Sequence, residues 1–396
     1  MPIKVGMGVG TERDLPVAVQ NAVSQAKANI QSHKISLAVV FSTIEFANPQ
    51  VLKAIYALLG EINIVGASSL GIITNQGIFK HGLAIMLLSL PEGAYCNTAY
   101  VKDISARSPT SAGEELGEKL LYGFKNIPRG FSLIFSDGLM QDGSGFLYGL
   151  REVLGWSFPL AGACASDNLE FKKTYVYVND QAVSDAACGI LWGGKLHFGM
   201  GIKHGWKALG QPRTVTKSAG NIVYEIDGLP AASIYKHYFD YDIPTLKREL
   251  KRLSIMYPIG VYLTGEQECL LRNVVSLEND ASLVCQGHVP EGSVIRLMIG
   301  TKELCLGATA EALDEAKNRL LGRAADFVFV FDSISRYMLL GRQADKELDI
   351  IKEKLGKDTP IMGMYSFGEQ APLKAINFQG RAYFHNQTIS ILGIGG

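Results

Sequence analysis

The residues of this sequence best suited to chemistry stand at the ends of short apolar runs. Ser42-Thr43 close Val39-Val40-Phe41, Ser136-Asp137-Gly138 close Leu133-Ile134-Phe135, and Asp332-Ser333 close Phe329-Val330-Phe331. Ser68-Ser69, Ala165-Ser166 and Tyr365-Ser366 follow a second set of runs centred on Gly66, Gly162 and Gly363. In an α/β sheet, loops diverge beyond the C-terminal strand ends and leave backbone N–H groups free, so pockets form there. Ser, Thr, Asp and Gly also favour such places simply as turn and cap residues. That plainer reading suits any one of them better than it suits the whole recurring set.

Charge narrows the choice. Arg272 lies among Leu270, Leu271, Val274 and Val275, so apolar neighbours should cover its stem, and a covered guanidinium needs a carboxylate. Glu369 is one partner, which would make the pair structural; the α-carboxylate of a ligand is another, for Arg272 as for Arg336. The expected cleft is lined by Arg272, Ser333, Arg336, Tyr365 and Glu369 from the second half of the chain. Ser68, Ser69 and Asp137 mark the equivalent end of the first half. His385-Asn386, just before the last apolar run, reads first as a turn satisfying backbone groups.

Motifs of catalysis are missing. Gly66-Ala67-Ser68-Ser69-Leu70-Gly71 misses the GxSxG elbow by one place in either register, and neither HExxH nor a Walker A pattern occurs. The expectation is no enzyme, with a serine-dependent hydrolase as an alternative because the members of a triad can lie far apart. The six cysteines never form CxxC, so neither a zinc site nor a disulfide framework is indicated. Gly6, Gly8 and Gly10 form GxGxG, not the dinucleotide pattern GxGxxG, and read as tight-turn glycines.

The elements that position these residues repeat. Each short strand is followed by a helical stretch, a Gly-centred segment and a later apolar strand (Leu83 to Leu88, Ala187 to Trp192, Thr388 to Leu392). The repeats start near Leu37, Ser132 and Asp326, with a period too long for a solenoid, and imply duplicated α/β units. A fourth, less regular copy starts at Ile222 and reaches its glycine at Gly260. Amphipathic helices precede three copies: Val17 to Ile30, Ser111 to Phe124 and Ala308 to Leu321. Ser218 to Asn221 gives a hairpin signal, and the stretch from Arg272 to Ile299 reads as a strand meander. The fold class is α/β, with mixed sheets built from duplicated α/β units in two domains, 1–215 and 216–396.

Bulk properties exclude several partners. Lys plus Arg is 38 and Asp plus Glu is 38, so no net field draws nucleic acid or an anionic membrane. A hydrophobic fraction of 47% with 43 glycines describes a well-cored chain. No apolar run approaches the roughly 18 residues of a span, and Glu12, Arg13 and Asp14 interrupt any signal peptide, so a cytoplasmic protein is expected.

Taken in order, several segments resemble the FIST family: Val65 to Gly71, Ser136-Asp137-Gly138, Ala161 to Asp167, His204-Gly205-Trp206, Val215-Thr216-Lys217, Glu225 to Ala231, and Tyr257 to Gly260. Leu271 to Val274, Val289 to Ser293, Gly363 to Glu369 and Phe384 to Thr388 continue the resemblance over nearly the whole chain. It implies FIST N-terminal and C-terminal domains forming a sensory module for a small ligand, an amino acid or small carboxylate, often fused to signalling domains. Here the chain ends at Gly396 after the last strand, so the expected partner is separate, such as a histidine kinase or chemotaxis transducer. No cofactor is predicted. A haem-binding gas sensor is an alternative that the resemblance permits, with His33, His81, His197, His204, His237, His288 or His385 as axial ligand, and a scaffold is another. The resemblance also leads one to expect a cysteine where Ser333 stands; the serine keeps a small hydrogen-bonding group but loses thiolate chemistry at that turn.

Overall fold

Each recurring apolar run is a strand covered on both faces, which is why its residues are continuously apolar rather than alternating. The computed structural model describes residues 2–31, 33–264, 268–373 and 380–396. In it Leu37–Thr43, Arg129–Ser136 and Phe327–Ser333 are the core strands of three units. Each runs parallel to the glycine strand that follows it, Asn63–Ser69, Leu160–Cys164 or Ile361–Ser366. Helices Pro49–Leu59 and Gly143–Leu154 make the crossover in the first two units, and Ile334–Leu340 with Asp345–Leu355 in the third. A closing strand, Leu83–Ser89, Ala186–Gly194 or Ile389–Gly395, then pairs antiparallel with the core strand's other edge. The copies near Leu37, Ser132 and Asp326 thus share one topology.

The units are interlocked by hairpin exchange. After its glycine strand each unit makes a short hairpin that adds to the glycine strand of a different unit. Ile72–Thr74 of the first pairs with Ile361–Ser366 of the third, Val176–Val178 of the second with Asn63–Ser69 of the first, and Glu369–Pro372 of the third with Leu160–Cys164 of the second. The exchange closes a ring of three sheets with equivalent strand order.

Strand periodicity fills the ring's centre. Alternate residues of each core strand point inward, and Phe41, Phe135 and Phe331 meet there with centroid separations of 5.3, 6.3 and 5.9 Å. Ala38 and Val40 face the other way, toward buried residues of the flanking helices such as Ala22 and Leu52. The glycines of Lys4–Gly10 let that strand approach the helix Leu15–Ile30: a Cβ on Gly6, Gly8 or Gly10 would lie about 2 Å from the carbonyl oxygens of Ala26, Ala22 and Ala18. Close strand–helix packing, not a nucleotide, accounts for GxGxG.

One expectation fails. Ile222–Ile226 pairs antiparallel with Trp206–Ala219 and Leu283–Cys285, and Ile259–Tyr262 lies elsewhere in the same sheet, antiparallel to its neighbours. The segment near Ile222 is therefore no fourth unit; strand, helix and glycine recur there without the parallel pairing that defines the others. Residues 206–300 form one antiparallel sheet with helices Ser233–Phe239 and Ile243–Met256 and a core of their own, inserted between strand His197–Lys203 and helix Lys302–Arg319 of the third unit. The boundary expected after residue 215 falls inside the strand Trp206–Ala219. The fold is mixed α/β, as its strand and helix pattern indicated.

Candidate functional site

All three units meet at a cleft of about 120 Å³ beyond their strand ends. Thr43 and Ser69 end the core and glycine strands of the first unit, and Lys80 follows its exchanged hairpin. Asn168 comes from the second unit, Tyr337 and Tyr365 from the third. The buried floor is tied tightly. Ser166 Oγ donates to the Tyr365 carbonyl at 2.6 Å, and Ser69 Oγ accepts from the N–H groups of Gly71 and Tyr365. The Tyr337 and Tyr365 rings lie 4.7 Å apart, and Lys80 Nζ sits 5.3 Å from the Tyr337 centroid. Burial pushes the Tyr365 phenol well above its usual pKa, so it stays a neutral donor. Glu45, Lys80 and Asn168 form an exposed rim, giving a carboxylate, an ammonium and an amide around a small opening. A second cleft of about 250 Å³ is lined by Val5, Met7, Asn29, Asn75, Lys357 and Asp358, among others.

Of the residues expected to bind, Ser69 and Tyr365 line the first cleft; the rest serve elsewhere. Ser68 Oγ donates to the Ser166 carbonyl and accepts from the Tyr175 N–H. Asp137 accepts from the Leu139 and Asp185 N–H groups and the Thr174 hydroxyl. Ser333 caps the helix Ile334–Leu340 by accepting from the Ser335 N–H.

The second-half cleft is not assembled. Arg336 is fully buried and already saturated: Nε donates to Asp332 at 2.9 Å, Nη2 to Glu347 and Thr309, and Nη1 to the His204 carbonyl at 2.6 Å. A ligand carboxylate would have to displace two internal ones. Arg272 does not pair with Glu369. It donates to the carbonyls of His288, Leu271 and Phe384, and burial lowers its pKa to about 10. Glu369 accepts from the hydroxyls of Ser366 and Thr388, and burial lifts its pKa to about 7.

The histidines do not build a haem pocket at either cleft, since neither is lined by one. His385 donates from Nε2 to the Ala371 carbonyl, and His204 accepts from the Trp206 N–H. Burial lowers their pKa values to about 3 and 4. Among the described residues no group of three or more His, Cys, Asp or Glu could hold a metal ion.

Residues 36–229 match the FIST N domain and residues 231–372 the FIST C domain. The chain belongs to the FIST family. FIST domains are associated with sensory signal transduction. The chain is also similar to an uncharacterized protein of Methanocaldococcus jannaschii, 25% identical over 360 residues that span 81% of this chain and 67% of the relative. Among solved structures, the cyanuric acid hydrolase of A. caulinodans aligns over 99% of both chains with a TM-score of 0.40 and 9% identity. A second cyanuric acid hydrolase aligns over 99% of this chain and 100% of its own, with a TM-score of 0.37 and 8% identity. Likeness this low transfers no activity to the FIST chain. No described helix is long and apolar enough to cross a membrane.

Sequence reasoning missed Glu45, Lys80, Asn168 and Tyr337. Lys80 follows the Gly77 turn of an exchanged hairpin, and only the exchange brings it to Tyr337 of another unit. Arg336 carried a readable signal that it was occupied, since Asp332 lies four residues earlier at a helix start.

Proposed function

We propose that this chain is a cytoplasmic sensory binding protein that holds a small ligand, an amino acid or small carboxylate, in the cleft at Ser69 and Tyr365. It has no catalytic activity of its own and signals through a separate partner. The carrying observation is the cleft itself, a small opening where all three units converge and Lys80 and Glu45 offer opposite charges. A ligand bearing both an α-carboxylate and an ammonium group complements that rim. The non-catalytic reading is supported by Ser68 and Ser69, whose hydroxyls bond to backbone groups and, among the described residues, to no side-chain base. Six free cysteines, five of them buried, suit a reducing compartment.

The test is thermal unfolding of the full chain with each amino acid and with small carboxylates. A ligand at 100 times its dissociation constant raises stability by about 2.7 kcal/mol. Lys80→Ala should remove the stabilisation by the active compound and leave the melting temperature of the free protein unchanged. Stabilisation that persists in Lys80→Ala and Glu45→Ala alike would move the ligand out of this cleft, and no stabilisation by any compound would count against the binding reading.

A further inference from the structure

The floor of the cleft holds a hydrogen-bond donor that the fold leaves unused. Tyr365 is only 1% exposed, and its hydroxyl has no hydrogen-bond partner among the described residues. That hydroxyl is still not one of the polar atoms shut away from solvent, so it opens on the cleft that its side chain lines. The ring is held in place from three sides. Its backbone N–H donates to Ser69 Oγ at 3.0 Å, and its carbonyl accepts from the Ser166 and Ser69 hydroxyls at 2.6 and 2.9 Å. Gly71 packs so closely that a Cβ there would lie 3.3 Å from the ring, and the Tyr337 ring stands 4.7 Å away. Burial keeps the phenol protonated, with Asp332 and Glu347 acting in the same sense. The other buried hydroxyls of the lining are taken: Ser69 by the backbone of Gly71 and Tyr365, Thr43 by that of Gly82.

We propose that the cleft selects a small hydroxyl-bearing amino acid such as serine, with its carboxylate and ammonium at Lys80 and Glu45 and its hydroxyl against Tyr365. This selectivity rests on the proposed role of the cleft as the ligand site. The charged side chains stand at the exposed rim, so a ligand held by its two charged groups points its side chain at the floor. Size sets the upper limit. The 120 Å³ of the cleft hold roughly four to eight water-sized groups, a range that admits glycine, alanine and serine but not leucine or phenylalanine. The hydroxyl decides within that limit. Alanine differs from serine only in lacking it, and a ligand without that acceptor leaves the Tyr365 phenol covered and unpaired.

Calorimetric titration of the full chain with L-serine, L-alanine and L-leucine tests the selectivity. Serine should bind at least tenfold more tightly than alanine, and leucine should give no saturable heat. Tyr365→Phe keeps the ring and should bring the serine constant to within about threefold of the alanine constant. Loss of the serine heat in Lys80→Ala locates the binding in the cleft. Equal constants for serine and alanine in the wild-type chain, both lost in Lys80→Ala, overturn the hydroxyl contact while the cleft remains the ligand site. That comparison decides even should Tyr365→Phe fail to fold. A serine preference that survives Tyr365→Phe, or leucine binding as tightly as serine, overturns the selectivity equally. No saturable heat with serine overturns it too, whereas the cleft itself falls only if no amino acid or small carboxylate stabilises the chain, or if the stabilisation persists in Lys80→Ala and Glu45→Ala.

Discussion

The end of the core strand is built one way in the first two units and another in the third. Ser42 and Ser136 occupy equivalent places and meet the hairpin received from another unit: Ser42 Oγ lies 2.5 Å from the Tyr177 hydroxyl, and Gln370 Nε2 donates to Ser136 Oγ at 3.2 Å. The third unit has Asp332 there, and its partner is Arg336 from the same unit's helix. Arg336 also reaches the His204 carbonyl, where the chain leaves for the inserted domain. A neutral contact between units has thus been replaced by a buried ionic cluster at the insertion. That difference separates residues that hold the ring together from those that anchor an addition to it.

The comparison breaks most visibly at Arg336. Arg336→Met leaves Asp332 and Glu347 buried without their cation, which should destabilise the chain by about 3–5 kcal/mol in denaturant titration. Adding Asp332→Asn and Glu347→Gln should restore most of that loss, because neutral side chains need no counter-charge. If the single variant unfolds at the wild-type denaturant midpoint, the cluster does not anchor the third unit. Phe41, Phe135 and Phe331 offer the converse test, since all three meet at the centre. Each Phe→Ala change should cost a similar amount, about 3–5 kcal/mol, and one site costing far less than the others would mean that the units share the centre unequally.

Titration sharpens the comparison, because the third unit's hairpin carries two buried titratable groups, Glu369 and His385, with shifts of opposite consequence. Glu369 has a folded-state pKa of about 7 against an ordinary 4.5. The folded chain keeps a proton that the unfolded chain releases, so stability falls as pH rises from 4.5 to 7, by roughly 3 kcal/mol in all. His385 and His204 act in the opposite sense, with folded values near 3 and 4 against 6.5. Their contribution is complete above pH 6.5 and is lost as pH falls below it. The melting temperature should therefore peak near pH 6.5, and Glu369→Gln should flatten the alkaline limb and steepen the acid limb between pH 4.5 and 6.5, where the two slopes oppose each other. An alkaline limb unchanged in Glu369→Gln would assign that slope to another group.

The sequence carried the repeats but not their connections. Core strands such as Phe327–Ser333 announce themselves because both faces are buried, and glycines such as Gly66, Gly162 and Gly363 mark the strands beside them. Pairing direction leaves no such trace, so the run at Ile222 with Gly260 imitates a fourth unit while folding antiparallel. Exchange is equally silent: Ile72–Thr74 and Val176–Val178 are three-residue strands whose partners depend on the whole ring. The site divides along the same line. Ser69 and Tyr365 were legible because they end regular strands, whereas Glu45, Lys80 and Asn168 lie in connections whose meeting depends on the exchange.

The smallest expected effect falls on the contacts between units. Ser42→Ala removes the hydroxyl that meets Tyr177, and one net hydrogen bond is worth about 0.5–1.5 kcal/mol. The Tyr177 phenol is buried, so losing its partner adds a desolvation cost, and the single change should sit at the upper end of that range. Tyr177→Phe removes both the donor and the need for one and should cost less. The double variant should therefore be less destabilised than the sum of the singles, with a coupling of about 1 kcal/mol. Ser136→Ala should give a smaller loss, since its bond to Gln370 is longer and Cys164 Sγ lies 3.3 Å away as a weak alternative partner. Zero coupling between Ser42 and Tyr177 would mean that the exchanged hairpin is held by its backbone pairing alone.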